Sequence, residues 1–146
     1  MDDVSVQVRV ESAGLFHQNY TGLALLWGNG GYVFAGPGLK YPQFEYELFA
    51  GDKPLKRRGS ECSVANPGRM HQFNWVRIDL RPDTMALYGS ADGATWVKDW
   101  EVERPEALKG TLALLRLGKS PVGEESPHQA APTPAYFDDL IVGRNG

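Results

Sequence analysis

Val4-Ser5-Val6-Gln7-Val8-Arg9-Val10-Glu11, near the start of the chain, alternates valine with polar residues. Successive side chains of a strand point to opposite faces, so this period of two predicts a β-strand with one buried, β-branched face. The same period recurs downstream. Leu23, Leu25 and Trp27 follow Asn19-Tyr20-Thr21-Gly22, Gly28-Asn29-Gly30-Gly31 supplies a turn, and Tyr32-Val33-Phe34 runs back. Residues 22–35 therefore read as a hairpin. Phe44, Tyr46 and Leu48 alternate with Glu45, Glu47 and Phe49 in another strand. Residues 71–80 form the next, with Val76, Ile78 and Leu80 on one face and Trp75, Arg77, Asp79 and Arg81 on the other.

Arg81-Pro82-Asp83-Thr84 places proline at the second position of a turn, residues 85–90 return, and Asp92-Gly93 marks a second hairpin before 95–102 runs outward. Residues 112–117 read as a buried strand and 136–142 as the last one. Residues 51–69 and 118–134 read as long polar loops, the first with room for a short strand. No segment longer than eight residues keeps a helical stripe, and the proline-punctuated stretch 104–110 has room for one helical turn at most. Nine or ten short strands imply an all-β chain of two stacked antiparallel sheets.

The length of 146 residues is that of one domain, able to bury a core without disulfide or metal staples. The first strand begins almost at residue 1 and the last ends almost at 146, so residues 1–146 read as a single domain excised from a longer protein. With 15 Lys and Arg against 18 Asp and Glu, the net charge of −3 lacks the basic surplus of a nucleic-acid-binding domain. The one basic cluster, Lys53, Lys56, Arg57 and Arg58, reads as solvated surface of the 51–69 loop. No apolar run approaches the ~20 residues of a membrane-spanning helix, and the acidic, alternating start is not a signal peptide. The single cysteine, Cys62, rules out an internal disulfide and a cysteine-based zinc site.

Three stretches in order carry a family resemblance: residues 20–27 (YTGLALLW), residues 74–81 (NWVRIDLR) running into residues 90–96 (SADGATW), and residues 136–142 (YFDDLIV). Together they resemble the concanavalin A-like, laminin-G-like jelly-roll superfamily over nearly the whole chain. The resemblance implies an antiparallel jelly roll whose first and last strands pair. It also implies a non-catalytic accessory domain of an extracytoplasmic protein, with a glycan or an extracellular protein as partner. A fold hosts many functions, so function must be argued from a site.

Glycan recognition sets aromatic rings under the apolar faces of sugars and planar polar groups against their hydroxyls. Trp75 beside Arg77 and Asp79 on an outward strand face has that composition, with Tyr32 and Tyr88 as further stacking candidates. The alternative is that a loop covers Trp75, which then packs as part of a second small core. Phe34, Tyr41 and Trp100 complete the aromatic candidates. Ser90-Ala91-Asp92-Gly93-Ala94-Thr95-Trp96 approaches the sialidase Asp-box but is one residue short. It reads as a hairpin device in which Asp92 accepts backbone amides, Gly93 takes positive φ and Trp96 packs beneath.

The hydrolases of the superfamily carry an E-x-D-x-x-E-like run of three acids on one strand. Glu45 and Glu47 supply two, so a glycoside hydrolase is the minority reading, and the chain reads as no enzyme. Cys62 with His71 is a weak nucleophilic pair, and His17, His71 and His128 lack metal-ligand spacing. Asp138 and Asp139 are the metal candidates. Consecutive strand residues face opposite sides, so one of them points coreward and needs a partner or a cation. Related jelly rolls often hold a structural calcium, which implies that ion here, with Asp2 and Asp3 close by if the terminal strands pair. The alternative partners are backbone amides or an arginine such as Arg144. Asn19-Tyr20-Thr21 is a glycosylation sequon, relevant only to a secreted eukaryotic parent.

Overall fold

The computed structural model describes residues 3–12, 21–38, 43–50, 53–58, 75–119 and 135–144. Their strands are β1 (Val4–Ser12), β2 (Thr21–Trp27), β3 (Tyr32–Gly38), β4 (Gln43–Ala50), β5 (Lys53–Arg58), β6 (Trp75–Leu80), β7 (Thr84–Ser90), β8 (Val97–Glu103), β9 (Leu112–Lys119) and β10 (Ala135–Arg144). The one helical element among the described residues is a 3-10 turn at Glu106–Leu108, within the stretch that has room for a single turn. Two five-stranded sheets result, with strand orders β10-β1-β6-β7-β8 and β5-β4-β3-β2-β9. Every pairing is antiparallel, including that of the first and last strands.

The valine alternation of β1 does what a period of two demands. Val4, Val6, Val8 and Val10 are buried, while Ser5, Gln7 and Arg9 stay partly exposed. The valines share one core with Leu23, Leu25, Trp27, Val33 and Ala35 from the other sheet and with Val76, Ile78, Leu80, Met85 and Leu87 from their own. The two sheets therefore bury their facing sides against each other. Each fully buried Val or Leu contributes about 1.5–3 kcal/mol relative to exposure.

The basic cluster at 53–58 lies on β5, the short strand for which residues 51–69 have room, and β5 is the outermost strand of its sheet. Lysines on an edge strand discourage pairing with other chains. Strand β9 is likewise an outer strand rather than a buried one. Leu112, Leu115 and Leu117 are only partly buried against the core, and Leu114 is exposed.

Sheet β5-β4-β3-β2-β9 also carries a second cluster on its outer side. Ala24, Tyr32 and Phe34 are buried there, with Leu26 packed against them. At the end of the other sheet, the buried Arg104 ties turns together. Its Nη1 donates to the Arg81 carbonyl at 2.8 Å, and its Nε and Nη2 donate to the Leu108 carbonyl at 3.0 and 2.6 Å. Its backbone amide donates to the Asp83 carbonyl. Charge-assisted bonds to two carbonyls fix the β6–β7 turn, and with it the position of Arg81.

Candidate functional site

The outer side of β6, β7 and β8 holds the densest grouping of chemically able side chains among the described residues. The tight β6–β7 turn sets its register, pairing Trp75 with Ser90, Arg77 with Tyr88 and Asp79 with Ala86. Strand β8 extends the rows, placing Lys98 opposite Tyr88 and Glu101 opposite Ala86. Lys98 and Glu101 are three apart, a spacing that puts residues of a regular strand on opposite faces. An irregularity in the β7–β8 register adds one residue to β8 between them, so both reach the same side and form an ion pair.

Arg77 forms a two-pronged pair with Asp79, its Nε donating to Oδ1 and its Nη2 to Oδ2, both at 2.7 Å. Asp79 is buried and Arg77 partly so. The hydrogen bonds to Asp79, more than the charge of that carboxylate alone, raise the guanidinium pKa further above its ordinary value. The guanidinium also lies 5.1 Å from the Tyr88 ring centre and 5.7 Å from that of Trp96, within cation–π range. Trp75 and Trp96 meet edge to face, with centroids 6.5 Å apart and planes at 84°. An aromatic–guanidinium–carboxylate chain thus runs from Trp75 to Asp79.

The β7–β8 hairpin closes over this chain. Ser90 Oγ accepts the Gly93 amide at 2.9 Å and donates to the Thr95 carbonyl at 2.7 Å. Asp92 Oδ1 accepts the Ala94 and Thr95 amides, each at 2.8 Å. The Thr95 amide first, then that of Ala94 and the Ser90 hydroxyl, lower the Asp92 pKa from 3.8 to about 2. Gly93 adopts φ 76° and packs on the Trp75 indole. The Asp92 amide bonds and the positive φ of Gly93 read from the sequence are present, but the indole packed against Gly93 is that of Trp75, and Trp96 is turned against Trp75 and Arg77.

Next to this assembly lies a depression of about 160 Å³ lined by Asp79, Arg81, Thr84, Ala86, Tyr88, Lys98 and Glu101. Tyr88 supplies an aromatic wall. Small Thr84 and Ala86 leave the floor open. Two acids and two cations face the space and are paired: Asp79 with Arg77, Glu101 with Lys98, and Arg81 with Asp3 at 3.5 Å.

The structure brings Trp75, Arg77, Asp79 and Tyr88 together on one outer face. Trp75 points away from the inter-sheet core and is half-buried, because the hairpin at Gly93 packs on its indole. Tyr32 is corrected out of the group. It is 4% exposed on the outer side of the other sheet, packed with Ala24 and Phe34, because its hairpin register with Leu26 turns it there. Lys98, Glu101, Thr84 and Ala86 are lining residues that the sequence reading did not place in a site. Counting the register outward from the Arg81–Thr84 turn locates Ala86, whereas the extra residue in β8 hides Lys98 and Glu101.

Asp138 and Asp139 also depart from expectation. The β1–β10 register shifts between Gln7 and Arg9, and Asp139 takes φ 54°. This bulge turns both carboxylates outward, 66% and 55% exposed, where Arg9 reaches them at 3.2 and 4.0 Å. Neither faces the core; the arginine partner is Arg9 rather than Arg144, and Asp138 Oδ1 also accepts the Asp139 backbone amide at 2.9 Å, as the alternative of amide partners has it. Asp3, the expected neighbour, pairs with Arg81. Residues Asp2, His17, Asn19, Tyr41, Cys62, His71 and His128, and the side chains of Glu45, Glu47 and Trp100, lie outside the described residues.

No family model matches the chain, and no curated protein matches it. Among solved structures it is similar to a functionally unknown protein from Saccharomyces cerevisiae, at a TM-score of 0.71 and 16% identity, over 98% of this chain and 70% of that one. At that identity the likeness concerns the fold alone.

Proposed function

We propose that this chain is a non-catalytic carbohydrate-binding module with a concanavalin A-like jelly-roll topology, an accessory domain of a larger extracytoplasmic protein. The depression on the β6–β8 face carries the reading. It joins an aromatic wall, Tyr88, to hydrogen-bonding groups of both kinds held by ion pairs at its rim. A sugar presents apolar C–H faces and a ring of hydroxyls that donate and accept. Tyr88 is placed to stack, Asp79 and Glu101 to accept, and Lys98 and Arg81 to donate. Arg77 holds Asp79 in position and backs Tyr88, and Trp75 with Trp96 supports that guanidinium from the hairpin side. Preformed partners reduce the ordering cost of binding. The small depression buries little area, so affinity for one sugar unit is weak.

The test is a glycan array followed by titration calorimetry on the purified chain. The expected result is binding of a defined glycan that Tyr88→Ala and Lys98→Ala weaken at least tenfold without lowering the unfolding temperature. Silence across a broad array overturns the reading in favour of a protein-interaction domain, and glycan binding indifferent to both substitutions overturns the assignment of the site to this depression.

A further inference from the structure

Strand β10 ends its sheet, pairing with β1 on one side and with no described strand on the other. Its middle is Leu140-Ile141-Val142, and the three are 45%, 54% and 56% exposed, with Tyr136 at 61%. Strands β1 and β2 contact each other across the core, as do β3 and β6. The neighbours β10 and β9 therefore run along the same flank of the molecule. On that flank Leu112, Leu115, Leu117 and Phe137 are only partly buried, so the core is thinly covered there. The opposite edge strands differ in kind. Strand β5 carries Lys53, Lys56, Arg57 and Arg58, and β8 carries charged residues at 98, 99, 101 and 103. Proteins ordinarily blunt an edge with charge, proline or a bulge. In β10 the bulge sits at Asp139–Leu140, and residues 141–144 beyond it pair regularly with β1, begin with apolar Ile141 and Val142, and hold no proline.

We propose that the edge of β10 that pairs with no described strand pairs antiparallel with β10 of a second copy of this chain. The order of charges along the strand selects that occupant. Asp138 and Asp139 precede the apolar centre and Arg144 follows it. A two-fold antiparallel arrangement brings the acidic end of each strand alongside the basic end of the other, twice, while the apolar centres meet at the axis. A parallel copy would set acid beside acid. Opposite charges across strands are favourable and like charges are not, and a two-fold contact closes on itself without propagating.

The pairing makes one ten-stranded sheet from two five-stranded ones, with both outer faces on the same side. Counting strands at about 4.8 Å spacing puts the two β6–β8 depressions roughly 35 Å apart on that side. Resting on the proposed function, this would present two weak sites to one ligand-bearing surface and raise avidity without any new contact.

Sedimentation velocity of the full chain between 1 and 200 µM tests the pairing independently of any glycan. The expected result is a concentration-dependent dimer that Ile141→Lys or Arg144→Asp weakens at least tenfold, each variant keeping the native circular dichroism spectrum. Hydrogen exchange is expected to slow at residues 140–144 as concentration rises. A wild-type monomer at 200 µM overturns the proposal, as does a dimer unaffected by Arg144→Asp or a series of open-ended oligomers. Should Ile141→Lys unfold the chain, Arg144→Asp alone decides. A dimer without glycan binding overturns the proposed function and leaves the pairing standing.

Discussion

Gly93 lies flat against the indole of Trp75, so close that a Cβ added there would come within 2.8 Å of the ring carbons Cε2 and Cζ2. Its φ of 76° is also a conformation that residues with a side chain adopt at a cost. Gly93→Ala therefore meets two penalties, backbone strain and overpacking, and is expected to destabilise the chain by about 2–4 kcal/mol. Urea unfolding of the variant checks this. The companion change Trp75→Ala should relieve the steric part, so the double variant is expected to lose less than the sum of the two single losses.

Asp92 predicts a pH dependence of the same hairpin. Its pKa is depressed to about 2 by the Thr95 and Ala94 amides and the Ser90 hydroxyl. A group whose folded pKa lies below its unfolded value stabilises the fold above the unfolded value and stops doing so as pH falls through the folded one. The window is thus between about pH 4 and pH 2. The wild-type unfolding temperature is expected to decline across it, and Asp92→Asn to show a shallower decline from a lower starting point. Melting curves in the presence of 0.15 M salt measure both slopes.

The strands of the fold were legible because their signal is local. Val4 through Val10 carry their own burial pattern, and the Asp92-Gly93 turn carries its own hydrogen bonds. The site was legible along a strand and obscure between strands. Trp75, Arg77 and Asp79 follow from periodicity, and Tyr88 follows from the turn at 81–84. Lys98 and Glu101 depend on an extra residue in β8, and the outward turn of Asp139 depends on a bulge in β10. Bulges add one residue without any fixed sequence mark, so a strict period of two assigns the wrong face beyond them. Tyr32 failed for another reason. An aromatic on the outer side of a sheet looks solvent-facing in sequence, and only the tertiary packing of Phe34 and Ala24 buries it.

Arg77 and Asp79 are two residues apart on one strand, a spacing that puts both on the same face and lets the guanidinium lie along the strand. Asp79 is almost fully buried, so removing Arg77 leaves a carboxylate without its cation. Arg77→Ala is expected to destabilise by up to about 3 kcal/mol, toward the lower end of the cost of breaking a buried pair because Arg77 itself is partly exposed. Asp79→Asn should cost less, since the amide keeps one acceptor for Arg77. A double-mutant cycle in urea isolates the coupling, expected at about 1–3 kcal/mol.

Ala86 offers a way to test the depression without dismantling its walls. It sits in the row between Asp79 and Glu101 and is 8% exposed, its methyl group directed to the outer face while Met85 and Leu87 beside it are in the core. A larger side chain there extends into the depression rather than into the core. Ala86→Phe is expected to fill much of the roughly 160 Å³ at a cost in stability of about 1–3 kcal/mol, the range for enlarging a side chain against packed neighbours. If this space receives a sugar ring, the variant abolishes glycan binding although Tyr88, Lys98 and Glu101 remain. Calorimetric titration alongside thermal melting separates the two effects. Binding that persists in a folded Ala86→Phe variant would move the recognition surface away from this depression.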